Sequence, residues 1–583
     1  MLRPTSPEPT SLPPALPPTR SPSGPRFSRG AVTVSLLTVG LALVGCVDEP
    51  APPPAPVRTP AGSMVDPLPG GWIVQLDDAT APADVAALAE EVAARTGGRV
   101  RHVYDGAVRG FALEDVAIAV ADLDDPRLRS VRPDIYVPVP SMPSAAGAAW
   151  AQQDAARQFH LDRADQRRTP TTCTYRYDRT GAGVDVYVID SGVRATHVDL
   201  GGRATIVYDA TRPAGTAVTA PGYGVDEDGH GTAVASIIGG TTFGVAKAAR
   251  LQVVKVYRVS NATDPALRAQ LSDFIEGTDW VYSRVQAQRA AGNSRTVVAN
   301  FSIGAPRTEA DAGLFTVALN RLTNVGVQAV VADQEATGNQ CDEAQAYAGN
   351  TLAVGAVGFN DQRANGGGLC SDVYAPTAMA AAWKGSDTDT HFFGGTSGAA
   401  PVVAGVAALH LEQFPRAIVQ SPLFCAGTPV NDNNLTCTLL RTATTGVVLD
   451  TVTGQPVTDS PNRLIYSRLL VDPAVTTTVT SLPLAANAGS STATTFAVGA
   501  TGGTAAEYRL ETSNTCWLSV SPAPNTGAGC VLPYDTTTTS IVTVQARTNQ
   551  PGCVLGPGPY SGTVRVIGTN GTARTVAVNL TVR

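Results

Sequence analysis

Val-rich, nearly continuous apolar runs recur at 184–189, 251–257, 296–301, 328–331 and 352–357. Strands covered on both faces read this way, because neither face meets water. Between and after them, apolar positions fall three and four residues apart at 230–239, 272–289, 311–324 and 397–414, which predicts helices. Strands alternating with helices predict an α/β body built on a parallel sheet with helices on both faces. Functional groups in such sheets lie beyond the carboxyl ends of the strands.

Two differently patterned regions flank this body. Residues 72–76, 100–104, 109–113 and 130–137 read as strands, and Val85, Leu88, Ala89 and Val92 share one face of a helix. That helix starts near Pro82 and stops at Gly97-Gly98, and 116–123 reads as a second one, giving a small α+β unit of order βαββαβ. After 473 the chain turns to Thr, Val, Gly and Ala without helical spacing, and Asn570-Gly571 between two alternating runs marks a hairpin. The segment resembles bacterial Ig-like β-sandwich modules. It is expected to bind a surface or polymer, or to serve as a passive spacer.

Composition changes the picture mainly at the front. A Pro- and Ser-rich start with Arg20, Arg26 and Arg29 leads into an uncharged apolar run, 31–45. That run is short for a membrane span and suits a signal segment. Its ending Leu43-Val44-Gly45-Cys46 resembles a bacterial lipobox, so Cys46 is the expected lipidation site; cleavage as an ordinary signal is the alternative. The expected division is 1–46 signal with lipobox, 47–68 tether, 69–140 α+β unit, 150–472 α/β body and 473–583 sandwich. Membrane contact is expected only through the lipid. Formal net charge is −7 with no basic block, which argues against a nucleic-acid partner. Nine cysteines less Cys46 leave eight for an exported chain, where disulfides are the default. Cys425 and Cys437 close a short loop and are expected to pair.

Three segments carry candidate chemistry: Val186 to Gly192 ending in Asp190-Ser191-Gly192, then Asp228-Gly229-His230-Gly231-Thr232, then Gly395-Thr396-Ser397-Gly398-Ala399-Ala400-Pro401. A serine hydroxyl is a weak nucleophile at neutral pH and needs an imidazole base oriented by a carboxylate. The chain order Asp, His, Ser is the one subtilisin-type proteases use. Over 159–467 the sequence resembles the subtilases, nearest the proteinase K and aqualysin branch. The resemblance implies that Asp190 orients His230, that His230 is base and then acid, and that Ser397 is acylated. It implies that Ser302, Ile303 and Gly304, within Asn300-Phe301-Ser302-Ile303-Gly304, bind an extended protein or peptide substrate. It implies that 69–140, ending Val131-Arg132-Pro133-Asp134, is an inhibitory propeptide partnering its own body. The same likeness pairs Cys341 with Cys370. It requires no cofactor for the chemistry and places a structural calcium at Asp372, with carbonyls of Gly349 and Thr351; a solvated loop Asp is the alternative.

One departure is serious. The subtilase oxyanion Asn falls at Glu335, within Ala332-Asp333-Gln334-Glu335-Ala336. Losing one oxyanion donor costs about 10²–10³ in rate. A subtilase fold of little activity, acting by binding, is therefore the competing expectation. An esterase with a Gly-x-Ser-x-Gly elbow is discounted, since no such elbow surrounds Ser397 and its serine would precede its histidine.

Overall fold

The computed structural model describes residues 67–138, 158–167, 175, 177–258, 268–304, 313–333, 348–364, 370–426, 433–467, 474–501, 507–521, 525–527, 530–532, 534–535, 541–568 and 572–583. The chain divides into two compact units, Met1–Ser63 and Met64–Arg583, and every described residue belongs to the second. Cys46 and the 31–45 run lie outside the described residues.

The N-terminal unit runs β1 (Pro67–Leu76), α1 (Pro82–Thr96), β2 (Arg99–Tyr104), β3 (Gly110–Glu114) and β4 (Leu128–Pro138). Pro82 opens α1, and Gly97 closes it at φ 71°, a left-handed conformation that costs glycine little. Val85, Leu88, Ala89 and Val92 are buried against the sheet, as their spacing requires. The expected helix at 116–123 does not form. Only a single 3-10 turn, Val120–Asp122, survives there. The amides of Ala117 and Ile118 are instead taken by the Thr96 carbonyl, tying the segment to the end of α1. Eight residues, three of them Ala, are too few for a helix to overcome its nucleation cost without support, and the capture of two amides by Thr96 removes that support.

The body is a nine-stranded sheet of order β16-β17-β13-β12-β11-β10-β5-β7-β6. Its strands are β5 (Asp185–Asp190), β6 (Ala204–Asp209), β7 (Arg250–Lys255), β10 (Val297–Phe301), β11 (Val327–Ala332), β12 (Leu352–Val357), β13 (Val373–Pro376), β16 (Thr444–Thr445) and β17 (Arg463–Leu464). From β6 to β13 all neighbours are parallel, and β10, β11 and β12 are buried at every residue, which explains runs that are apolar except at Asn300 and Gln328. Helices α2 (Phe159–Ala164), α3 (His230–Gly239), α4 (Leu271–Ala290), α5 (Gly313–Asn324), α6 (Gly395–Gln413) and α7 (Leu435–Thr442) cover it. Helix α6 is buried from Thr396 to Leu411, so it shows no polar face. A Cβ on Gly405 would lie 2.5 Å from Val245, so the bare glycine lets α6 approach that segment.

A short antiparallel pair, β8 (Tyr257–Arg258) and β9 (Arg268–Gln270), joins the two regions. Strand β4 pairs with β9 in the register Tyr136↔Gln270, Val137↔Ala269, Pro138↔Arg268, so the N-terminal sheet continues into an edge of the body. Helix α4 has no side-chain cap of its own. Asp134 from the N-terminal unit accepts the Ser272 amide at 3.1 Å and its hydroxyl at 2.5 Å, satisfying that helix start.

Strands β14 (Met379–Ala382) and β15 (Thr390–Phe393) form a hairpin before α6. Beyond 473 the described residues form strands and turns, in a four-stranded and a five-stranded sheet around one core containing Trp517, with two further two-stranded pairs. The hairpin of Gly558–Gly568 with Ala573–Val582 is present, its Asn570-Gly571 tip outside the described residues. Cys516 and Cys553, unassigned from sequence, are joined, and Cys425 is joined to Cys437.

Candidate active site

Parallel register brings candidate residues to the carboxyl ends of neighbouring central strands. Ile189 of β5 lies opposite Phe301 of β10, so Asp190 and Ser302 leave neighbouring strand ends side by side. Asp190 is fully buried, and its Oδ1 sits 2.8 Å from Nδ1 of His230. The same oxygen accepts the Ser191 amide at 2.8 Å. His230 begins α3, immediately after Gly229 at φ 109°. A Cβ at Gly229 would lie 2.3 Å from the Trp383 ring, and one at Gly231 would lie 2.2 Å from the Gly192 carbonyl. Both glycines are therefore required for the approach that sets the imidazole on Asp190.

The ring is enclosed edge-on by Phe393, 5.1 Å between centroids, and by Tyr257 at 6.3 Å. Burial disfavours its charge, but Asp190 more than offsets this, with Asp228 and Asp226 adding, and His230 is pushed up to about 9. Its Nε2 is buried and makes no hydrogen bond with the described residues. The imidazole is thus held at one nitrogen and open at the other.

Ser397 lies in the first turn of α6, whose amide dipoles favour negative charge at that end. Pro401 stands four residues on and has no N–H to give the Ser397 carbonyl. The Ser302 hydroxyl donates to that carbonyl instead, at 3.0 Å, and Asn300 Nδ2 donates to the Ser302 hydroxyl at 2.9 Å. The Ser397 hydroxyl in turn donates to the Ser302 carbonyl at 2.8 Å. This relay was not anticipated, although Pro401 at the fourth position after Ser397 is its sequence signal. Phe393, which packs on the His230 ring, is also 3.5 Å from where a Gly398 Cβ would stand. Met379 Sδ is 3.2 Å from that point and fills the room a larger residue would need.

Ile303 is buried and Gly304 follows it, both just beyond the end of β10. Glu335 and Cys341 lie outside the described residues. Cys370 is disulfide-bonded. Asp372 is largely buried, its Oδ2 accepts the Ala353 amide at 2.9 Å, and burial pushes its carboxyl up to about 7 with Asp333 adding. The Gly349 carbonyl accepts the Ser421 hydroxyl. Calcium takes six to eight oxygens. Among the described residues no group of three or more His, Cys, Asp or Glu could hold a metal, and no step is derived from a metal at Asp372.

A buried carboxylate–imidazole pair with a serine heading a nearby helix is equipped to move a proton off a hydroxyl, which defines the class of serine hydrolases. Comparison with known proteins narrows this. Residues 181–461 match the model of the Subtilase family. An extracellular serine proteinase of Thermus sp. (strain Rt41A) is 36% identical over 57% of this chain and 74% of its own length. The subtilisin-like serine protease AsES of Sarocladium strictum is 32% identical over 75% of this chain and 98% of its own. A cold adapted subtilisin-like serine proteinase of known structure is 31% identical over 54% of this chain and 98% of its own, with a TM-score of 0.43. The chain belongs to the subtilase family of serine endopeptidases.

Proposed function

We propose that the protein is exported and made as a zymogen, and that it cleaves protein or peptide substrates through Asp190, His230 and Ser397. The Asp190–His230 contact at 2.8 Å carries this reading, with Nε2 making no hydrogen bond with the described residues and Phe393, two residues before α6, packed on the ring. With the ring in its neutral form, the Ser397 hydroxyl swings from the Ser302 carbonyl to His230, which takes its proton as the oxygen attacks the scissile carbon. His230 then gives that proton to the leaving amine, and water releases the acyl group by the reverse relay. The Ser397 amide and the α6 terminus offset charge on the oxyanion. Calcium, if held at Asp372, would be structural.

Residues 69–140 act as the propeptide. The pairing of β4 with β9 supports this, since an extended segment already fills an edge of the body. Export is supported by the 31–45 run and by the extracellular Thermus relative, with Cys46 as the proposed lipid anchor. The 473–583 sandwich is an accessory module for a surface or polymer, or a spacer.

Glu335 favours a second reading, a subtilase fold that binds with little catalysis. Fluorophosphonate labelling of the purified protein separates the two. The wild type is expected to label, and Ser397→Ala to lose labelling along with about six orders of magnitude in kcat. A folded wild type that takes no label supports the binding protein.

A further inference from the structure

Asp226 lies outside every expected role, yet it is the most heavily bonded carboxylate near the base. Its side chain is buried, with the residue 5% exposed. Oδ1 accepts the Ser191 hydroxyl at 2.8 Å, the Asp228 amide at 3.0 Å and the Gly229 amide at 2.8 Å. Oδ2 accepts the Thr232 amide at 2.9 Å and its hydroxyl at 2.5 Å. The Ser191 hydroxyl also accepts the Gly231 amide at 2.8 Å. One carboxylate therefore ties the residue after Asp190 to residues on both sides of His230.

We infer that Asp226 is a positioning residue for the His230 base, clamping the end of β5 to the start of α3 so that the imidazole meets Asp190. The inference rests on the triad reading proposed above. An ordinary helix cap would satisfy the amides at 229 and 232 alone. Asp226 does more: through Ser191 it fixes the strand that carries the orienting carboxylate. Its charge also faces the ring. The carboxylates around His230 are Asp190 from β5 and Asp226 and Asp228 from its own loop. On the cation side, Lys384 donates to the Glu227 carbonyl and lies near Asp228, and Lys255 pairs with Glu227 at 3.1 Å. Removing Asp226 leaves a less negative field and a looser ring. A misplacement of about 1 Å costs about a hundredfold in rate.

The test compares full-length wild type, Asp226→Asn and Ser191→Ala, using kcat and KM on a chromogenic peptide across pH. Asp226→Asn is expected to lower kcat about ten- to a hundredfold with KM unchanged, and to move the acid limb of kcat/KM to lower pH. A purely structural cap would leave that limb in place. Ser191→Ala cuts the bridge but keeps the charge, so kcat is expected to fall while the limb stays. Wild-type kcat in Ser191→Ala, or an unmoved limb in a folded Asp226→Asn, overturns the inference. Ser397→Ala and His230→Ala are assayed alongside. If they stay active, the triad reading itself is wrong; if they are dead while the Asp226 and Ser191 variants behave as wild type, this inference alone fails.

Discussion

Docking of the N-terminal unit on α4 is expected to weaken as pH rises, and Asp279 sets the size of the effect. Asp279, 4% exposed, accepts the Gly106 amide at 3.0 Å and the Val108 amide at 3.1 Å. Burial pushes its carboxyl from 3.8 up to about 7, with Glu276 adding, against the lowering pull of those amides. Undocked, the group regains water and its ordinary value. A group whose docked value is raised contributes fully below the free value and loses that contribution as pH climbs through the docked value. The gap of about 3 units corresponds to about 4 kcal/mol in total. Between pH 5 and 8 the change is about a hundredfold in the docking equilibrium, about 2.6 kcal/mol. Asp134, pushed by burial to about 6, acts in the same direction by about tenfold. The perturbation is a pH series on full-length Ser397→Ala, which cannot cut itself, with and without Asp279→Asn. The assay is amide hydrogen exchange at Gly106 and Val108, corrected for the intrinsic pH dependence of exchange. Protection is expected to fall about a thousandfold from pH 5 to 8, and only about tenfold in Asp279→Asn. Protection that holds or rises with pH, or an Asn variant with the full slope, refutes the reasoning.

Glu335→Asn is expected to raise the rate of fluorophosphonate labelling by about 10²–10³, because it restores an oxyanion donor; an unchanged rate means another group already supplies that donor. Cys437→Ser, which opens the 12-residue separation to Cys425, is expected to cost about 3 kcal/mol of stability, read as a lower urea midpoint at unchanged slope.

The parts of the molecule that sequence revealed are those fixed by local chemistry. The spacing of apolar positions from His230 to Gly239 marks helix α3, and the Val-rich runs mark the sheet even though buried Asn300 and Gln328 interrupt two of them. Legibility ended where a partner distant in sequence makes the decision. Gly229 is required by Trp383, far along the chain, and the Ser302 hydroxyl is drawn to the Ser397 carbonyl by the proline four residues beyond it. The missing helix at 116–123 is the same lesson reversed, since Thr96 offered its amides a better acceptor than a helix would. Docking of the N-terminal unit was the least legible feature. Arg101 and His102 on β2 both meet Asp273, at 2.5 Å and 2.8 Å, while Asp134 and Asp279 serve amides across the same junction. No periodicity encodes such pairs. Acidic groups crowd both sides of that contact and Arg101 partly offsets them, so the junction includes carboxyls that burial makes costly to ionise. A contact built that way is firm in acid and loosens toward neutrality, whereas the apolar packing inside each unit gives no reason for a comparable dependence.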